Sequence, residues 1–188
     1  MQEKIKRIIK ASQAVKASLL SEENIVLVEK VAKVILDSLK AGGKVIVFGN
    51  GGSAADAQHM VAEFVGRFKK ERRALPAISL TTNTSTLTAL SNDYSYDVSF
   101  KRQIEALGKK GDAAVGISTS GTAKNVIEAL EAAKKMGLGT IALTGKDGGR
   151  VKDIAELSVI VKSSDTPRIQ EAHILLIHIL CELVEDGI

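Results

Sequence analysis

Val45-Ile46-Val47-Phe48-Gly49-Asn50-Gly51-Gly52-Ser53-Ala54-Ala55 passes from an unbroken apolar run into a glycine-rich loop and then into small helix-forming residues. An apolar run without alternation, stopped by glycine, is the pattern of a strand covered on both faces. The same succession recurs downstream. Candidate strands Lys44–Phe48, Ala77–Leu80, Ala113–Ile117, Thr140–Leu143 and Leu157–Val161 alternate with helical stretches at 54–67, 84–91 with 97–107, and 123–136. This alternation implies an α/β fold: a doubly wound five-stranded parallel sheet of the flavodoxin-like kind, with helices on both faces. The last helix, spanning 167–185, is apolar almost all round, which predicts central burial.

Two further helices precede the first strand. Ile5, Ile8, Ile9, Val15 and Leu19 recur at helical spacing over 2–20. Ser21 is placed to cap a second helix running through Val26, Val28, Val31, Val34, Ile35 and Leu39, and Gly42-Gly43 would end it in the left-handed conformation. Both apolar stripes need a surface to cover them, and a neighbouring subunit is the expected one. At 188 residues the chain is long enough for one compact α/β domain and too short for two. A single domain over 1–188 is expected, with 1–41 a helical extension used in oligomerisation.

Composition narrows the classes of function. A chain that is 45% hydrophobic and 26% charged can bury a core, so disorder is set aside. The N-terminus breaks into charge at Glu3-Lys4-Ile5-Lys6-Arg7, and no stretch approaches the ~20 apolar residues of a bilayer-spanning helix. A cytoplasmic protein with no membrane partner is expected. Cys181 is the only cysteine, which excludes an internal disulfide and a multi-thiolate metal site; within Leu180-Cys181-Glu182-Leu183 it reads as a small core residue. The one dense basic cluster, Lys69-Lys70-Glu71-Arg72-Arg73, reads as a solvated helix end. With only 3% aromatic residues to interleave with it, nucleic acid is not expected as a partner.

Ligands of open α/β sheets bind beyond the carboxyl ends of the strands. The loop Gly49-Asn50-Gly51-Gly52-Ser53-Ala54 fits the G-x-G-x-x-A form of a dinucleotide site. That reading needs an acidic residue near the end of the next strand, and no carboxylate follows Ala77-Ile78-Ser79-Leu80 before Asp93. What remains is a small-residue loop through which the backbone approaches a polar ligand closely. A second loop, Ile117-Ser118-Thr119-Ser120-Gly121-Thr122-Ala123, places four hydroxyls between a strand and a helix. One hydroxyl is accounted for by an N-cap; four together point to a phosphate cradle.

His59 and Glu63 are four residues apart and share a helix face, both expected near the helix start. Gln170 and His178 lie two turns apart on the last helix, about 80° around its axis, and can look toward one site. Taken alone, an imidazole inside Ile177-His178-Ile179 is a satisfied core histidine. Together the four offer N and O donors suited to a divalent transition metal, zinc first. His173 faces away from His178 and reads as a packing residue.

At these residues the sequence resembles the sedoheptulose 7-phosphate isomerases (phosphoheptose isomerases) of the sugar-isomerase (SIS) domain family. The likeness is carried by Gly49-Asn50-Gly51-Gly52-Ser53, Asn92-Asp93, Gly116-Ile117-Ser118-Thr119-Ser120-Gly121, Leu143-Thr144-Gly145-Lys146-Asp147-Gly148-Gly149 and Arg168-Ile169-Gln170-Glu171, in order along nearly the whole chain. The resemblance implies that Ser118, Thr119 and Ser120 bind the phosphate and that Asn50, Gly51, Gly52, Ser53, Glu63, Asn92, Asp93 and Gln170 meet the sugar. It further implies zinc on His59, Glu63, Gln170 and His178, and a homotetramer. Many members carry Asn-Ser where this chain has Thr122-Ala123, so either Thr122 supplies the hydroxyl or that contact is lost.

The implied reaction moves a proton between C1 and C2 through an enediol(ate), which needs a base at carbon and an acid at oxygen. Glu63 is the candidate base and His178 the candidate acid. Zinc on the same residues leaves two alternatives: it polarises the carbonyl while Glu63 swings off, or it stabilises the site without joining the chemistry. A rival of a different class has the same fold, a non-catalytic protein that binds the replication initiator. Ala54-Ala55-Asp56-Ala57-Gln58-His59 and Leu75-Pro76-Ala77-Ile78-Ser79-Leu80 resemble both groups.

Overall fold

The computed structural model describes residues 1–188. Two helices, α1 (Gln2–Ala17) and α2 (Glu22–Lys40), lead into β1 (Val45–Gly49) and α3 (Gly52–Val65). They are followed by β2 (Ala77–Ser79), α4 (Thr84–Asp93), α5 (Ser99–Leu107), β3 (Ala113–Ser118) and α6 (Lys124–Lys135). The chain closes with β4 (Gly139–Gly145), α7 (Val151–Ile154), β5 (Leu157–Val161) and α8 (Thr166–Gly187).

All five strands are parallel, in the order β2-β1-β3-β4-β5. The order reverses between β1 and β3, which makes the ends of these two strands the topological switch point where ligands of such sheets bind. Strand alternation divides the core in two. Val45 and Val47 of β1 join α2, α3 and α8 on one face. Ile46 and Phe48 join α5, α6 and α7 on the other, where the Phe48 and Phe100 rings lie 5.6 Å apart.

Local chemistry sets the boundaries. Ser21 accepts from the Asn24 N–H to cap α2, and Gly42 at φ +82 ends it; Asn83 accepts from the Thr86 N–H to cap α4. The helical segment expected over 2–20 tightens into a 3-10 turn at Ser18–Leu20. Helix α3 starts at Gly52, two residues earlier than expected, because Gly51 turns the chain at φ +56, a conformation open to glycine. His59 therefore sits mid-helix and Glu63 in the last turn, not near the start. Helix α8 also departs from the expectation of all-round burial. Its Ile169, Ala172, Leu176, Ile177, Leu180 and Val184 are buried, but Leu183 is exposed beside a groove formed with Leu19, Leu20 and Ile25.

Cys181 is a free, buried thiol that burial pushes up to about 12. The basic cluster follows the end of α3 and is solvated only in part: Lys69–Glu182 and Lys70–Asp186 are exposed pairs, whereas Arg72, expected to be solvated with the rest, is buried in a pair with Glu185. No helix is long and apolar enough to cross a membrane.

Candidate active site

The loops that follow β1 and β3 face each other across the switch point. Between them lies a cleft of about 150 Å³ lined by Asn50, Ser53, Ile117, Ser118, Thr119, Ser120, Ala123 and Gln170. Helices α3 and α6 both begin at this cleft without a side-chain cap; the Ser53, Ala54 and Val126 amides turn back onto the carbonyls of Asn50, Gly51 and Ala123, which leaves those of Gly52, Lys124 and Asn125 to meet an anion. Gly121, at φ +69, lets the hydroxyl loop turn and pack its backbone on Gly148-Gly149, where a Cβ would strike the Gly148 carbonyl. The segment Gly145–Gly149 thereby packs behind the hydroxyl loop, Gly145 against the Thr119 carbonyl and Gly149 against that of Ser120. Inside it, Ser118 Oγ accepts from the Gly121 N–H at 3.2 Å and Ser120 Oγ from the Thr122 N–H at 3.2 Å.

Helices α3 and α8 run side by side from the cleft. At the cleft end the Gln170 amide lies against Gly52, with no room for a Cβ between them. Further along, the pair brings His59, Glu63 and His178 together: His59 Nε2 is 3.1 Å from Glu63 Oε1 and 3.1 Å from His178 Nε2. One ligand atom from each of the three falls within 4.8 Å of the others. Donors on a tetrahedral zinc stand ~2.0–2.2 Å from the ion and hence roughly 3.3–3.5 Å from one another, so these residues fit such an ion. The His178 ring is sandwiched, its centroid 5.1 Å from that of His59 and 5.5 Å from that of Phe68.

The SIS domain family profile matches residues 3–145. A phosphoheptose isomerase of Aquifex aeolicus is 56% identical over 186 residues, 99% of this chain and 97% of the relative. The solved phosphoheptose isomerase of Neisseria gonorrhoeae is 42% identical with a TM-score of 0.88, and that of Francisella tularensis 34% identical with a TM-score of 0.94, each covering 98% of both chains. The chain belongs to the phosphoheptose isomerase family. Further relatives at 53–62% identity bear the same name, and the replication-initiator alternative is not favoured.

The remaining family-implied residues occupy varied positions. Asn92 and Asp93 are exposed at the end of α4, the Asn92 amide donating to the Asp93 carboxylate at 2.9 Å. Thr122 stays outside the cleft, exposed, with its hydroxyl 2.9 Å from Ser120 Oγ, while Ala123 lines the cleft. Asn50 has most of its amide engaged: its oxygen accepts from Asn125 Nδ2 at 2.9 Å and from the Tyr96 hydroxyl at 2.8 Å, and its nitrogen donates to Asn125 Oδ1 at 2.9 Å. The reciprocal Asn50–Asn125 pair ties the loop after β1 to the first turn of α6, with Asn125 buried.

Sequence reasoning missed Asn125, Tyr96 and Asp56. Asp56 lies one turn before His59 with Oδ2 buried and unpartnered; burial pushes its carboxyl up to about 6, against the opposing pull of His59. Its i−3 spacing from His59 was readable. The pairing of Asn50 with Asn125, 75 residues apart, left no local signal.

Proposed function

We propose that this chain converts sedoheptulose 7-phosphate to D-glycero-D-manno-heptose 7-phosphate, an aldose–ketose isomerisation that opens nucleotide-activated heptose biosynthesis. The observation that carries the reading is one helix pair bearing both halves of a site. Gly52 and Gln170 meet at the phosphate end, while His59 and His178 meet seven and eight residues further along, or about 10–12 Å at the helical rise. An extended seven-carbon sugar with its phosphate spans roughly 10 Å at bond lengths near ~1.5 Å.

In this reading Ser118, Thr119 and Ser120, with the uncapped start of α6, hold the phosphate at C7. The Gly51–Ser53 backbone, Asn92, Asp93 and Gln170 meet the sugar, and Asn50 serves chiefly by holding its loop to α6. The carbonyl end reaches Glu63 and His178. Glu63 takes the proton from C1, giving the enediol(ate), and the same group returns it to C2. His178 supplies and withdraws the proton at the two oxygens, as an imidazole with one protonated and one free nitrogen can. His59, Glu63 and His178 would hold zinc, which would supply a fixed positive charge beside the carbonyl end; Gln170, whose amide lies at the cleft end against Gly52, would have to turn toward them to serve as a fourth donor, and Glu63 would have to leave the ion to act as base.

Two further features belong to the proposal. Residues 1–41 act as an assembly extension in a homotetramer, supported by α1, which buries none of its own residues and leaves Ile5, Ile8 and Ile9 exposed. The free buried thiol of Cys181 suits a reducing, cytoplasmic setting. The reaction is tested by a proton NMR time course of sedoheptulose 7-phosphate with purified protein. Aldose signals are expected to grow in; no conversion, with or without added zinc, would overturn the reading.

A further inference from the structure

Glu185 is a buried carboxylate that the proposed chemistry does not use. It accepts from the backbone N–H groups of Phe68, Lys69 and Lys70 at 3.0, 2.7 and 2.8 Å, and from Arg72 Nε at 2.9 Å. The Arg72 guanidinium continues the network. It donates to the carbonyls of Glu63 at 2.8 Å, Phe64 at 3.0 Å, Gly66 at 3.3 Å and Arg73 at 3.0 Å. The first two are among the last carbonyls of α3, which have no partner within the helix. Both side chains are nearly inaccessible, at 9% and 1% exposure.

A buried ion pair adds little net stability compared with apolar residues of the same volume, so its effect is sought in what it orders. Here it orders two things. Arg72 holds the backbone of Glu63 itself, and Glu185 pins residues 68–70, which lay the Phe68 ring 5.5 Å from the His178 ring. The His178 ring in turn meets His59, its Nε2 3.1 Å from the His59 Nε2.

We propose that the Glu185–Arg72 pair is a positioning device for the acid–base trio, fixing the end of α3 that bears Glu63 and, through Phe68, the ring plane of His178. Its consequence for turnover rests on the isomerase reading above; its consequence for geometry does not. The chain has three histidines, so imidazole NMR signals report each one separately, and His173, on the other side of α8, is an internal control.

In Glu185→Gln the signals of His178 and His59 are expected to move while that of His173 stays. Turnover should fall roughly tenfold or more, since small misplacements of reacting groups carry losses up to about 10²-fold. The KM for sedoheptulose 7-phosphate should stay within about twofold, because the phosphate cradle is untouched. Three unchanged imidazole signals overturn the proposal, and so does movement of all three, which marks a general loosening of the fold. If Glu185→Gln does not fold, Phe68→Leu decides. That variant keeps the ion pair and should move the His178 signal, and an unmoved signal again overturns the proposal. Should His178→Gln itself retain wild-type turnover, the catalytic assignment fails while the imidazole signals still decide the positioning role.

Discussion

Ala123 occupies the N-cap of α6 with no side chain to satisfy the first amides, and it lines the cleft between the β1 and β3 loops, where the proposed phosphate site would use a hydroxyl. Ala123→Ser should therefore act twice. A capping hydroxyl raises stability by about 0.5–2 kcal/mol, seen as a higher melting temperature, and a further donor in the cradle lowers the KM for the sugar phosphate. Ser120→Ala is the converse. Loss of a hydrogen bond to a charged phosphate should weaken substrate binding by about 1.5–3 kcal/mol; an unchanged KM would place the phosphate elsewhere. Two buried groups lower stability in acid. Burial pushes the His173 imidazole from 6.5 down to about 4, opposed by the bond its Nε2 donates to the Thr144 carbonyl at 3.0 Å. Burial alone would raise the Glu185 carboxyl, but the N–H groups of residues 68–70 and Arg72 outweigh it and hold it at about 2 against an ordinary 4.5. In both cases the unfolded chain takes up a proton that the folded one refuses, so stability falls as pH falls. The His173 loss, spread between about pH 6.5 and 4, is opposed by Asp56, whose raised carboxyl makes the folded chain take up the extra proton between about pH 6 and 3.8, so the net fall in melting temperature belongs chiefly to Glu185, from pH 4.5 toward 2. Glu185→Gln should flatten the lower part of that curve.

Most elements were legible because their signals are local. The apolar runs at 45–48, 113–117 and 157–161 carry strand, burial and parallel pairing in one pattern, and the strands observed there match to within one residue or fully. Ser21 and Gly42 announced both ends of α2. Helix α7 was not foreseen, since a single turn at Val151–Ile154 has no periodicity to detect. The His59–Glu63 pair was readable from spacing on one helix; that His178 joins it was carried by the family resemblance, since an imidazole inside Ile177-His178-Ile179, taken alone, reads as a core histidine. The Arg72–Glu185 pair was not readable. Its partners are 113 residues apart and each, read alone, is an ordinary surface charge. Helix α1 supplies the prediction at this scale. It buries none of its residues and leaves Ile5, Ile8 and Ile9 in water. Deleting residues 1–20 removes this stripe and uncovers more of the apolar groove at Ile25, Ile179 and Leu183. The truncated chain should lose its assembly or its solubility; light scattering that found the full oligomer, lighter only by the deleted segments, would contradict this.

The whole molecule divides its labour along the sheet. Val45 and Val47 anchor the layer of α2, α3 and α8, and that layer carries His59, Glu63 and His178. Ile46 and Phe48 anchor the opposite layer, which carries α6 and with it one wall of the cradle. The switch point between β1 and β3 is where the two layers meet around a ligand. An isomerase needs this junction to hold one end of the substrate while acid and base work at the other. The most direct test measures turnover and KM for sedoheptulose 7-phosphate by proton NMR in Glu63→Gln and His178→Gln beside the wild type. Each variant should still fold and bind the sugar phosphate, with turnover lowered by at least the roughly 10²-fold expected for loss of a positioned acid or base. Near-wild-type turnover in both variants would contradict the account.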